Sequence, residues 1–241
     1  MTDFIKSKVK KLLNFMVTQL ICKLEFNRQS FIGFNERPVE FSFVFRWLKK
    51  LYPKNVLEVG TGTTALPHLM RNCGCLVTAI DNIKDYWPSG MSNRHYYVVN
   101  NDITASQINI NDKFDLITCI SVLEHIEKHD AAICNMFNLL NPNGHLILTF
   151  PYSENQYVKN VYELTGSNFS GKNIPYVCQS FSRNELSKWL QENDGEIVEQ
   201  EYWQFWDGDF WRIGNKIIPP LRVSCEEKHQ IACLLIQKIS R

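Results

Sequence analysis

The sequence predicts an α/β protein built on a parallel sheet with helices on both faces. Three observations carry this. Short apolar runs of strand length alternate with longer helical patterns. The first such run is followed at once by a turn with two glycines, Gly60 and Gly62, and then by a helical pattern. The 241 residues are enough for one large core, and no internal repeat or low-complexity tract interrupts them.

The elements follow in order. In "MTDFIKSKVKKLLNFMVTQLICKLEF", Phe4, Ile5, Val9, Leu12, Leu13, Met16, Leu20 and Leu24 recur at helical spacing among Lys6, Lys8, Lys10 and Lys11. Such a helix packs on the domain, covers an active-site mouth, or lies on an anionic membrane surface. In "GFNERPVEFSFVFRWLKKL", Pro38 marks a helix start, with Phe41, Phe45 and Leu48 expected toward the core. Asn35, Glu36 and Arg37 either cap that helix or reach a substrate. Then come "NVLEVG" as a buried strand, "TALPHLMRNC" as a helix, and "LVTAID", "HYYVVNND" and "FDLITCIS" as further strands. "VLEHIEKHDAAICNMFNLL" reads as one long helix, and "GHLILTFPY" as the fifth strand. A long segment from Pro151 follows, dense in tyrosine, asparagine and serine. Its end, "SFSRNELSKWL", reads as a helix with Ser182 as N-cap and Glu185 completing a capping box. A second excursion, "YWQFWDGDFWRIGNKIIPPLRV", separates a sixth strand from the last, "HQIACLLIQKI".

Composition removes several classes. A formal charge of +1 gives no global attraction to nucleic acid. The eight cysteines are scattered, and Cys73 and Cys75 have the wrong spacing for zinc or redox pairs, which fits reduced thiols in the cytoplasm. His68, His95, His129, His145 and His229 form no set with metal-ligand spacing, so no metal is expected. No apolar run reaches the roughly 18 residues of a membrane-spanning helix.

Ligands of parallel sheets bind beyond the carboxyl ends of the strands, where the glycine turn falls. Gly60 and Gly62 permit close backbone approach, and Asp81, about twenty residues on, stands where an acid holds ribose hydroxyls. An adenosine-containing cofactor is therefore expected. "GTGTTA" also fits the loose dinucleotide fingerprint, which keeps a nicotinamide-dependent oxidoreductase open. Glu58, two residues before the first glycine, and the Glu-His of "FDLITCISVLEHI" discriminate. With them the chain resembles the class I S-adenosylmethionine-dependent methyltransferases, by motif from about Asn55 to Tyr152.

The resemblance implies a Rossmann-like sheet of seven strands, mostly parallel, with an antiparallel last strand and N-terminal helices. It divides one domain, 1–241, into a helical cap (1–52), a cofactor-binding core (53–150) and an acceptor side (151–241). Glu58, Gly60, Thr61 and Gly62 would hold the methionine part of the cofactor, with Thr64 where a third glycine is usual. Asp81 would meet the ribose, with Asn82 beside it in the cofactor site, Asp102 the adenine amino group, and Ile103 the adenine ring. Ile120 and Ser121 would line the methionine end. Each acid also has a plainer reading: Glu58 as a sheet-end acid, Asp81 as a turn former, Asp102 as an Asx-turn.

Methyl transfer asks the protein to align an acceptor and, for a hydroxyl, to supply a base. His125 is the first candidate and Tyr152 the second. Tyr157, Trp206 and Trp211 are the candidates for stacking on the acceptor, the tryptophans competing with a reading as a satellite hydrophobic cluster. The expected acceptor is a small molecule or glycan, with a lean toward oxygen on a sugar-like compound. A cofactor-binding protein without turnover is the remaining alternative.

Overall fold

The computed structural model describes residues 2–27, 29–31, 33–82, 96–172 and 174–239, so His95 lies outside the described residues. The chain forms two compact units, Met1–Pro38 and Val39–Arg241. The first unit is mainly one helix, α1 (Thr2–Asn27). Taken by itself, α1 covers none of its own apolar row: Val9, Leu12, Met16 and Leu20 are all exposed. Among the described residues, no helix is long and apolar enough to cross a membrane.

Helix α2 (Arg37–Leu51) starts where Pro38 places it, and Asn35 Oδ1 accepts the Arg37 N–H at 3.2 Å, so Asn35 is a cap. Its buried face differs from the expected one. Glu40, Phe43, Val44 and Leu48 are buried, whereas Phe41 and Phe45 only flank the core. The spacing of three to four residues selects that stripe and takes an acid into it.

The second unit is organised by one sheet. Its strands are β1 (Asn55–Val59), β2 (Leu76–Asp81), β3 (Val98–Asn100), β4 (Phe114–Ile120), β5 (Leu140–Pro151), β6 (Gly195–Trp206), β7 (Lys216–Val223) and β8 (Ile231–Lys238). The order is β3-β2-β1-β4-β5-β8-β6-β7. β1 to β5 run parallel, and β8, β6 and β7 join antiparallel. Among the described residues the sheet thus has eight strands rather than seven. The extra strand comes from the second excursion: Tyr202–Trp206 continues β6 instead of leaving it, and Lys216–Val223 returns as an edge strand. An edge position tolerates the two prolines, Pro219 and Pro220, because one row of N–H groups has no ladder to serve.

Residues alternate between two cores. Leu57, Ile117, Leu146, Leu148 and Phe150 face α4 (His129–Leu139) and α5 (Arg183–Glu192). Val56, Leu116, Ile147 and Leu235 face α2 and α3 (Leu66–Asn72). The capping box of α5 is formed as the sequence predicts, with Ser182 and Glu185 bonded reciprocally. The expected long helix after β4 is broken: a single 3-10 turn, Leu123–His125, precedes α4, because Ile126 is extended. His125 therefore belongs to a tight turn at the end of β4.

A polar cluster closes the carboxyl end of β5. Tyr152 is 1% exposed and its hydroxyl donates to Glu154 at 3.0 Å, while Arg183 holds both oxygens of Glu154. His229 is stacked on Tyr152 with centroids 5.8 Å apart, and its Nδ1 lies 2.7 Å from the Glu227 carbonyl. Burial holds His229 below the ordinary histidine range, and the same cause depresses His129 and His145. A histidine kept neutral in the fold protonates more readily in the unfolded chain, so acid favours unfolding. The histidine contribution to stability is therefore expected to be flat above about pH 7 and to fall as the pH drops through the unfolded histidine pKa of about 6.5. Each depressed histidine contributes at most about 1.4 kcal/mol per pH unit. Urea unfolding at a series of pH values measures this, and His229→Gln should make the slope between pH 6.5 and 5 shallower.

Candidate active site

The site is built where β1, β2, β3 and β4 end side by side. Register puts Glu58 opposite both Ala79 and Thr118, and Asp81 opposite Asn100. Glu58 is 2% exposed, and the Thr118 hydroxyl donates to its carboxylate. Beyond β1 the chain turns sharply. The N–H groups of Gly60 and Thr61 donate to the Ile80 carbonyl at 2.9 and 3.3 Å. The Gly62 N–H donates to Asp81 Oδ2 at 2.7 Å. Gly60 and Gly62 both have positive φ, 72° and 53°, the conformation that favours glycine. Burial raises the Asp81 carboxyl, with the Gly62 and Asn82 N–H groups opposing that.

The ends of β2 and β3 face each other through Asn82 Nδ2 and Asp102 Oδ2, 3.5 Å apart. Asp102 Oδ1 accepts both the N–H and the hydroxyl of Thr104 at 2.8 Å, so the Asx-turn reading of Asp102 holds for that oxygen. Ile103 is buried, and its carbonyl is fixed by Asn135 Nδ2 at 2.7 Å. At the end of β4, Ile120 is buried and Ser121 has φ 49°. The Ser121 N–H donates to the Thr149 carbonyl and Oγ1, each at 3.0 Å, while its hydroxyl donates to Glu40 Oε1 at 2.5 Å.

His125 sits beside this end, partly exposed. Its Nδ1 lies 2.6 Å from the Val177 carbonyl, and its Nε2 lies 3.8 Å from Glu124 Oε1. The Tyr176 ring meets it edge-on at 4.8 Å. Gln179 ties the turn to the returning segment through the Glu124 and Ile126 carbonyls.

The sequence profile of a family described as "Methyltransferase domain" matches residues 35–200, more than half of the chain. The chain belongs to this methyltransferase family. A ubiquinone biosynthesis O-methyltransferase of Glaesserella parasuis serovar 5 (strain SH0165) is 28% identical over 179 residues, covering 67% of this chain and 73% of the relative. That of Haemophilus ducreyi is 27% identical over 187 residues, covering 70% and 76%. Among solved structures, 1,6-didemethyltoxoflavin-N1-methyltransferase of Burkholderia thailandensis, with its substrate and S-adenosylhomocysteine bound, aligns with a TM-score of 0.58. Its identity is 12%, over 96% of this chain and 90% of that one. The N-methyltransferase NodS of Bradyrhizobium japonicum WM9, bound to S-adenosylhomocysteine, gives 0.51 at 19% identity over 85% and 88%. At these identities the two structures speak for the fold. The family match removes the nicotinamide alternative, and the protein is a methyltransferase.

The turn of the methyltransferase fits the S-adenosylmethionine expected from the sequence motifs on two counts. Thr61 is 1% exposed, and its hydroxyl has no hydrogen-bond partner among the described residues, a cost that a polar ligand atom would relieve. A Cβ built on Gly62 would meet nothing within 4 Å, so the turn is open on that side.

Other expected residues are not brought to this place as surface groups. Tyr152 is a core phenol whose hydroxyl is engaged by Glu154, and burial drives its pKa up. Tyr157 is partly buried against the α4 and α5 core, and its hydroxyl is spent on Gln179 Oε1 at 2.6 Å. Trp206 and Trp211 are 8% and 7% exposed and pack edge to face with centroids 6.2 Å apart. They form the hydrophobic cluster, not an open stacking surface, because Trp206 ends β6 with its ring in the α2 side of the core. Sequence reading missed Glu40, Thr118, Val122, Tyr176 and Val177. Only Glu40 left a signal, an acid inside an apolar helical stripe.

The two glycines are expected to respond differently. A Cβ on Gly60 would lie 2.3 Å from Val122 Cγ1 and 2.9 Å from its Cβ. Gly60→Ala should cost about 2–4 kcal/mol in urea unfolding through overlap and backbone strain. Gly62→Ala should cost only about 1 kcal/mol in stability. In calorimetry it should weaken S-adenosylhomocysteine by about fivefold or more, since its methyl occupies the open side.

Proposed function

We propose that this methyltransferase acts on a hydroxyl oxygen of a small molecule, with His125 as general base. The observation that carries the reading is the 2.6 Å contact between His125 Nδ1 and the Val177 carbonyl. A carbonyl only accepts, so Nδ1 bears the proton and Nε2 carries the lone pair. Nε2 takes the hydroxyl proton as the acceptor oxygen gains the methyl group. The Glu124 carboxylate, 3.8 Å from Nε2, stabilises the imidazolium that results. Tyr176, edge-on to the same ring, supplies the acceptor wall in place of Trp206 and Trp211.

When bound, the cofactor supplies a methyl group already activated on a sulfonium. In this reading the Gly60–Gly62 turn, Thr61 and Glu58 bind its methionine part, with Ile120 and Ser121 along the same end. Asp81 and Asn82 bind the ribose, and Asp102 and Ile103 meet the adenine. Asp81 keeps one carboxylate oxygen on the Gly62 N–H, so turn and ribose share a single side chain. The relatives named as O-methyltransferases support transfer to oxygen. The tryptophan pair that favoured a sugar-like acceptor is in the core, and a phenol-like hydroxyl compound suits the Tyr176 side better.

His125→Asn is expected to lower kcat by about 10²-fold or more on a small-phenol panel, read as S-adenosylhomocysteine release. The affinity for S-adenosylhomocysteine should be unchanged. Turnover confined to amines and undiminished in the variant would reverse the assignment, because an amine delivered unprotonated needs no base.

A further inference from the structure

Glu40 is fully buried on the core face of α2. Its Oε1 accepts the Ser121 hydroxyl at 2.5 Å and the Thr149 hydroxyl at 2.7 Å. Two hydroxyl donors on one oxygen suit the ionised carboxylate. Thr149 Oγ1 in turn accepts the Ser121 N–H, so Glu40, Thr149 and Ser121 form one closed arrangement at the end of β4. That arrangement holds Ser121 at φ 49°, a region an L-residue seldom occupies. The next residue, Val122, fills the space against Gly60. Glu40 is therefore linked to the Gly60 turn through Ser121 and Val122.

Other carboxylates converge on the same strand end. Glu58 and Asp81 end or adjoin β1 and β2, and Glu124 follows β4. The buried thiol of Cys119, on β4, is pushed well above its ordinary value by burial first and then by Glu58, Glu124 and Asp81. On the far side of β5, the Cys233 thiol is raised by burial and then by Glu40. Negative charge in a poorly hydrated place attracts a sulfonium and does little for a neutral thioether.

We infer that the charge of Glu40, held at the end of β4 by Ser121 and Thr149, biases the methionine end of the site toward the sulfonium cofactor over its neutral thioether product. The inference rests on the reading above that the end of β4 meets the methionine part. Its consequence is weaker retention of the product once the methyl group, and the positive charge with it, has left.

The test is calorimetry of the full chain with S-adenosylmethionine and S-adenosylhomocysteine. Glu40→Gln should weaken the sulfonium by about tenfold while changing the thioether by less than about threefold. Equal weakening of both, the mark of a purely structural residue, overturns the inference, as does no change in either. Thr149→Val keeps the carboxylate and removes one hydroxyl. It should leave the ratio of the two affinities intact, and a shift as large as that of Glu40→Gln overturns the inference too. If Glu40→Gln does not fold, the native chain gives the answer. A cofactor analogue with a protonated methylamine in place of the sulfonium should bind it about tenfold more tightly than the thioether, and equal binding overturns the inference. Failure of every ligand to bind the native chain would instead strike the cofactor reading itself.

Discussion

The site depends on the parallel register that β1 keeps with both of its neighbours. Because Glu58 stands opposite Thr118, a carboxylate and a hydroxyl from adjacent strands meet on one face and satisfy each other. Because Val59 stands opposite Ile80, the chain leaving β1 finds the Ile80 carbonyl for two successive N–H groups and turns there. Asp81, one residue further along β2, then catches the third N–H at Gly62. A slip of one residue would send Glu58 to the opposite core and leave the turn without its anchors.

The same register bears on why so many acids sit together at one end of the sheet. Four of these carboxylates have a hydrogen-bond donor at hand: Thr118 for Glu58, Gly62 for Asp81, Ser121 with Thr149 for Glu40, each from a neighbouring element, and Thr104 for Asp102 from the same turn. Burying an acid without such partners would be costly. With them, the sheet end becomes a place where charge is held at fixed positions on strands and a helix, and not on mobile side chains.

Much of this was legible in the sequence, for local reasons. The strand runs, the glycine turn, the capping box at Ser182 and the helix start at Pro38 are each written within a few residues, and each forms. What was not legible depends on return of the chain from a distance. The aromatic run around Trp206 has the same composition whether it lines a pocket or fills a core; only the pairing of β6 with β7 and β8 decides, and it buries the rings. The break before α4 turns on the extended Ile126, which apolar periodicity does not report. Glu40 reads as an ordinary acid in a helix's first turn until Ser121 and Thr149 arrive from 81 and 109 residues away.

The two margins of the sheet are unlike, yet they have a common effect. At one margin β3 is three residues long, which offers a passing chain almost no ladder. At the other, β7 carries Pro219 and Pro220 in its middle, where donors are missing, and Ile218 and Leu221 are exposed beside them. An unpaired strand with apolar side chains is ordinarily a template for a second molecule. Here the prolines interrupt that template, so β7 carries an exposed apolar edge without an open invitation to polymerise.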